Sequence, residues 1–277
     1  MTSTALVSLS GTALTEYEQA ILQEAASDEN AFDYIPTRLK FPSGGMNVFT
    51  ANDGEIVKPP FKAIIAVSQK SRAWWPGKDT QGLPPLCSSP DGVNGHFDIE
   101  AEAQIEIALG LQVRHPALRA MTHRYTWACA ECPLTAWGSG SGRGQACKAL
   151  RRLIVLVEGW TMPAIMTVPP TSVKVLDGYA SARARTKGQA YFTAWTRFGL
   201  EQQTNSAGIK YAVLKLEVDR ALTEAEVANV ISIRHQFASW VRELGIDSED
   251  YDTGEHRGDV AADAYADMPT ADEVAPF

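Results

Sequence analysis

Residues 129–157 read CAECPLTAWGSGSGRGQACKALRRLIVLV, and the rest of the chain is read outward from them. The stretch opens on a Cys-x-x-Cys pair, Cys129 and Cys132. A glycine- and serine-rich loop follows, then Cys147, then Lys148, Arg151 and Arg152, which lead into the most apolar segment of the protein. The only other cysteine, Cys87, lies upstream in CSSPDG. The spacing C-x41-C-x2-C-x14-C points to one tetrahedral metal site built from all four. Thiolates are soft, strong ligands for zinc, and a closed four-sulfur shell is structural rather than catalytic. An iron–sulfur cluster also takes four thiolates. His96, His115 and His123 lie between the cysteines, so one of them could stand in for Cys87.

The loop Gly138–Gly144, GSGSGRG, lacks the Lys-Ser/Thr that a phosphate-binding G-x-x-x-x-G-K-[ST] loop requires. Its flexibility and Arg143 suit contact with a phosphate backbone, or a solvated linker inside the metal knuckle. On a strand, neighbouring side chains face opposite sides. Arg151 and Arg152 therefore cannot share one ligand, and the expectation is that one meets phosphate while the other pairs with an acid.

The net charge of −8 hides a division. Residues 1–57 carry −6, residues 246–277 carry −9, and residues 58–220 carry +8. A basic middle between acidic ends suits a polyanion-binding body with an acidic tail. Within that middle, SRAWWPGK interleaves Arg72, Trp74, Trp75 and Lys78, the mixture of aromatic and cationic groups that grips single strands by stacking and phosphate contact. Lys62, Arg183, Arg185, Arg197 and Lys210 extend the basic set, and Tyr125, Trp127, Trp137 and Phe192 are further stacking candidates.

The pattern predicts a mainly β fold with some helix. Strands are expected at Phe61–Lys70 and Leu150–Glu158, with Trp160–Val168 as strand or turn. Tyr191–Gln203 and Ile209–Val218 should form a hairpin about the turn Asn205–Gly208. Helices are expected at residues 15–26, at 172–187 with Thr171 as N-cap, and at 222–244. The last carries a capping box, Thr223 with Glu226. Residues 80–121 read as an insertion. The N-terminus shows no secretory pattern and no apolar run reaches 18 residues, so a reducing compartment and no membrane span are expected.

The last residues, ADEVAPF, resemble the ends of bacterial single-stranded DNA-binding proteins, which close an acidic disordered tail on Pro-Phe. Some tailed-phage DNA-binding proteins likewise end in acids and a terminal Phe. Over most of residues 35–245, the segments CSSPDG, CAECP, GSGRGQACK and LRRLIVLVEG, with the helix and hairpin from Pro169 to Val218, are similar to phage and mobile-element single-stranded DNA-binding proteins. The four-cysteine pattern departs from the histidine-containing sites of other phage members.

The resemblance implies an OB-fold-like barrel, expected here with five strands. A zinc-bearing insertion would occupy about residues 80–147 of a domain spanning 35–245. An irregular or helical extension would cover 1–34, and a disordered acidic tail 246–277. It implies zinc held by Cys87, Cys129, Cys132 and Cys147, DNA held by the basic and aromatic residues above, and a bacterial cytoplasmic setting. Partner replication or recombination proteins would take the tail through Asp272, Glu273, Pro276 and Phe277, and homo-dimerisation is left open. No Gly-x-Ser-x-Gly, His-Glu-x-x-His or Walker pattern occurs, so a binding protein is expected rather than an enzyme. The alternatives are an iron–sulfur or metal-dependent nuclease, which would need carboxylates such as Asp91, Asp98, Glu100, Glu102 and Glu106 to converge, and a zinc-ribbon adaptor.

Overall fold

The computed structural model describes residues 37–42, 46–75, 85–97, 126–140, 144–186, 189–204, 208 and 210–246, without the side chains of Trp127, Trp240 and Glu243. The expected helix at 15–26, the stretch 98–125 and residues 247–277 lie outside them. In chain order the strands are β1 (Thr37–Lys40), β2 (Phe49–Ala51), β3 (Ile56–Val57), β4 (Phe61–Trp74), β5 (Cys87–Ser89), β6 (Asn94–Phe97), β7 (Thr126–Ala128), β8 (Lys148–Val157), β9 (Ala164–Val168), β10 (Ala194–Thr204) and β11 (Lys210–Ala221). Helix α1 (Pro170–Arg185) lies between β9 and β10, and α2 (Glu224–Glu243) follows β11. The fold is mainly β, a curled half-barrel sheet with two helices. All eleven described strands belong to one sheet, ordered β3-β2-β1-β9-β8-β4-β5-β6-β7, with the β10–β11 hairpin joined to β4.

Strands β4 and β8 pair from Ala63↔Val157 to Ala73↔Lys148 and form the spine. The other side of β4 serves two partners. Phe61–Ala63 bonds to β10, and Arg72–Trp74 bonds to β5. One end of the long strand thus builds the half-barrel and the other carries the cysteines.

The spine is covered on both faces. Ala63, Ile65, Leu153 and Val155 share a cluster with Leu176 of α1 and Phe198 of β10. Ile64, Ala66, Ile154 and Leu156 point the other way, against Val230 and Val241 of α2. Alternate residues of a strand face opposite sides, so burying both demands an unbroken apolar run, and LIVLV is that run. On the α1 side Phe49 meets Phe61 edge-on at 5.3 Å, and Phe61 stacks on Phe198 at 5.1 Å between ring centres. The β4–β8 register slips between Ile65 and Val67. Ala66 there has its carbonyl bonded by Arg234 of α2, whose guanidinium also lies 4.1 Å from the Phe192 ring centre.

The capping box forms as expected. Thr223 N–H donates to Glu226 at 2.8 Å, and Glu226 N–H donates back to Thr223 Oγ1 at 3.3 Å. The first helix begins differently. Pro169 is its N-cap and Pro170 its first residue, because proline suits a position with no hydrogen bond to make. Ser172 instead turns its hydroxyl to accept from Leu214 N–H at 2.9 Å, tying α1 to β11. Ile246, placed at the start of the tail by the sequence, is buried against Ala73 and Leu150.

Phe198→Ala should cost about 3–5 kcal/mol, because the site is fully buried between packed aromatics and cannot collapse. Urea denaturation measures it as a lower midpoint at unchanged slope. Arg220 foremost, with Thr223 and Trp195, holds the Glu226 carboxyl at about 2 against an ordinary 4.5. A depressed acid stabilises fully above its unfolded pKa. The contribution should therefore be present above about pH 4.5 and fade as pH falls towards 2. Glu226→Gln should remove that part of the acid sensitivity of the melting temperature.

Candidate metal centre

The four cysteines arrive from four backbone positions. Cys87 begins β5, where Trp74↔Cys87 pairing fixes it beside the end of β4. Cys129 follows β7 and is held by its N–H to Val93 O at 2.7 Å. Cys132 sits between 3-10 turns at Cys129–Glu131 and Pro133–Thr135. Cys147 precedes β8 and donates its N–H to Leu134 O at 2.9 Å. All four line one cavity with Arg72, Ser89, Gly95, Phe97 and Thr135. Its volume is about 20 Å³, room for one water-sized occupant. Trp74, Leu86 and Leu134 pack around it.

The knuckle and the glycine loop are tied together by backbone-directed hydrogen bonds. Thr135 Oγ1 donates to Cys132 O at 2.8 Å and Cys129 O at 3.1 Å. Ser139 Oγ donates to Leu134 O at 2.9 Å and accepts from Ala146 N–H at 3.0 Å. Gly138 and Gly140 N–H both reach Gly144 O. A Cβ at Gly140 would lie 3.0 Å from Ala146 N and from Gln145 C, so only glycine lets the two loop strands approach this closely. The described part of the loop therefore closes on itself and delivers Cys147 to the cavity. Residues 141–143, and with them Arg143, lie outside the described residues.

Burial dominates the thiol chemistry. It pushes Cys87 well above the ordinary thiol range, and the nearby Cys147, Cys132 and Cys129 push in the same direction. It raises Cys147 to about 12, although the Arg72 guanidinium opposes the shift. Cys132 is also raised by burial, against N–H donors from Leu134 and Thr135. Four cysteines line this one cavity, although no three His, Cys, Asp or Glu side chains among the described residues are drawn together as a formed metal-binding group. His96 is exposed, with its ring 3.4 Å from Thr126 Oγ1, and Cys87 itself faces the cavity. His115 and His123 lie outside the described residues. Strand β5 pairs directly with β4, so the cysteine ribbon of β5, β6 and β7 continues the main sheet.

Several of the residues expected to contact DNA are buried or paired within the protein. Trp74 is only 5% exposed and packs in one cluster with Leu86, Leu134 and Cys147. Trp75 packs against Ala73, Leu150 and Ile246. Phe192 lies in the α2-facing core. Arg152 is fully buried and donates to Leu244 O at 2.5 Å and Gly245 O at 3.2 Å, capping the carbonyl end of α2. It reaches no solvent, because β8 is covered on that face. Arg151 pairs with Asp177 at 3.0 Å, the acid partner expected for one of the two arginines. Arg183 is buried against Gln189 and Thr193. Lys148 donates to Gln145 O at 3.0 Å, and burial lowers its pKa. Lys62 and Arg197 share Asp219, whose carboxyl they hold below its ordinary range. Arg185 and Lys210 are exposed. So is Trp137, at 63%, on the cysteine module. Lys78 and Tyr125 lie outside the described residues, as do Asp272, Glu273, Pro276 and Phe277.

Asp91 is committed to a turn. Its Oδ1 accepts from Ser89 Oγ, Val93 N–H and Asn94 N–H, and the two backbone donors do most to lower its pKa to about 2. The sequence reading missed the cavity role of Arg72, which looked like one more surface cation. Its two-residue offset from the buried Trp74 was the available signal.

Comparison with protein-family models, with curated proteins and with solved structures finds no match.

In metal-free, reduced protein at pH 8, Cys87 and Cys147 should react with iodoacetamide more than about tenfold more slowly than free cysteine, because so little thiolate is present. Peptide mass spectrometry follows each site, and labelling at the free-cysteine rate would contradict the buried cage.

Proposed function

We propose that this chain binds single-stranded DNA on an OB-like β half-barrel stapled by one structural zinc ion. The observation that carries the reading is the meeting of Cys87, Cys129, Cys132 and Cys147 at one small buried cavity. Four sulfurs complete a tetrahedral shell and leave zinc no open position for a substrate. Zinc there would hold the ends of β4 and β8 against the ribbon and do no chemistry.

The DNA part rests on less of the chain than the sequence alone suggested. Support comes from the excess of +8 over residues 58–220, the exposed Trp137 beside the loop that carries Arg143, and the exposed Arg185 and Lys210. Bases would stack on Trp137, with phosphates held by those cations and Lys78. The acidic terminus closing on Pro276-Phe277 fits recruitment of replication or recombination proteins, with Asp272 and Glu273 steering the encounter.

Elemental analysis should find one zinc and no iron per chain, and an iron-containing brown protein would favour the nuclease. Oligo-dT should quench tryptophan fluorescence with an affinity that falls steeply with salt, and Trp137→Ala should lose most of the quenching. Duplex DNA binding equally well would favour the adaptor. Deleting residues 247–277, which leaves buried Ile246 in place, should tighten binding by removing a competing polyanion. Unchanged affinity in that variant counts against the competition.

A further inference from the structure

Arg72 is a cation of the spine strand β4 at its cysteine end. Its strand position is fixed between Ser89 of β5 and Ala149 of β8. It shares a strand face with Trp74, and it lines the cysteine cavity. Its guanidinium lies close enough to Cys147 to oppose the rise that burial gives that thiol. Its Nη1 is buried with no hydrogen-bond partner among the described residues. An orphaned buried donor on a charged group is costly, and this one sits beside four sulfurs. Metal-free thiols are weak acceptors for it. Thiolates on a metal are charged acceptors, and charge-assisted bonds are the strong ones.

Charge points the same way. Four thiolates around a divalent ion leave a net −2 among Trp74, Leu86 and Leu134, where burying charge is expensive. A guanidinium in contact halves that charge.

We propose that Arg72 is the counter-cation and positioning residue of the four-sulfur centre, donating to Cys147 and, through Nη1, to a second metal-bound thiolate. This rests on the metal reading above. It sets how firmly the centre holds its ion, with the planar fork supplying two directed donors where lysine offers a point charge.

The test compares wild type, Arg72→Lys and Arg72→Met, with the exposed Lys174→Met as a control for general charge. Each is loaded with zinc, and release to excess chelator is followed with a metallochromic dye. Loss of such an outer hydrogen-bond partner costs metal affinity about 10–100-fold. Arg72→Met should therefore release zinc about 10–100-fold faster, Arg72→Lys at an intermediate rate, and Lys174→Met like wild type. In cobalt-substituted protein the sulfur-to-cobalt charge-transfer band should shift in Arg72→Met and less in Arg72→Lys, a signature that packing alone would not move. If Arg72→Met does not fold, the lysine variant still reads both quantities. Wild-type release rates and an unshifted band in the lysine variant, with or without the methionine one, would overturn the assignment. A wild type that binds no metal would instead overturn the metal reading itself.

Discussion

The β4–β8 ladder is the constraint on which the other features depend. Its register brings Ala73 opposite Lys148, while Trp74 on the far side of β4 pairs with Cys87. Cys147, one residue before Lys148, is thereby brought to the same end of the spine as Cys87. The cysteine ribbon and the half-barrel are two ends of one strand pair. Strand β4 can serve both because its far edge bonds β10 at one end and β5 at the other.

Covering the spine on both faces also determines what its charges do. A strand buried on one side alternates apolar and polar residues, and its cations reach solvent. Here α1 and α2 close both sides, so Arg151 and Arg152 each meet a helix instead of a ligand. Arg151 finds Asp177, and Arg152 finds the carbonyl end of α2. Lys62 and Arg197 pair with Asp219 on a strand at the surface. Part of the positive charge that suggests a polyanion partner is thus paired within the protein.

Local patterns account for the elements that came out as expected. The apolar run before Glu158, the alternation in Lys210–Ala221 and the Thr223–Glu226 box each encode structure within a few residues. The cysteine spacing was equally readable, since four cysteines and no others leave few arrangements. The inward placement of Trp74 and Arg72 was not legible, because an aromatic–cation cluster looks the same in sequence whether it faces solvent or the interior. Helix α1 was expected to start at residue 172 behind Thr171, whereas Pro169 caps it and Pro170 is its first residue.

Periodicity, turn chemistry and residue type are local properties, so the two strands of the spine, the hairpin and the capped second helix were legible in the chain, whereas the pairing of those two strands was not. Only the tertiary structure decided which side chains face inward. That choice follows from strand order and from the two helices that cover the spine, and both depend on contacts between residues far apart in the chain. Arg152 reaching a helix end 92 residues away is the plainest case. Nothing near it in sequence distinguishes a buried helix-capping arginine from one that reaches DNA.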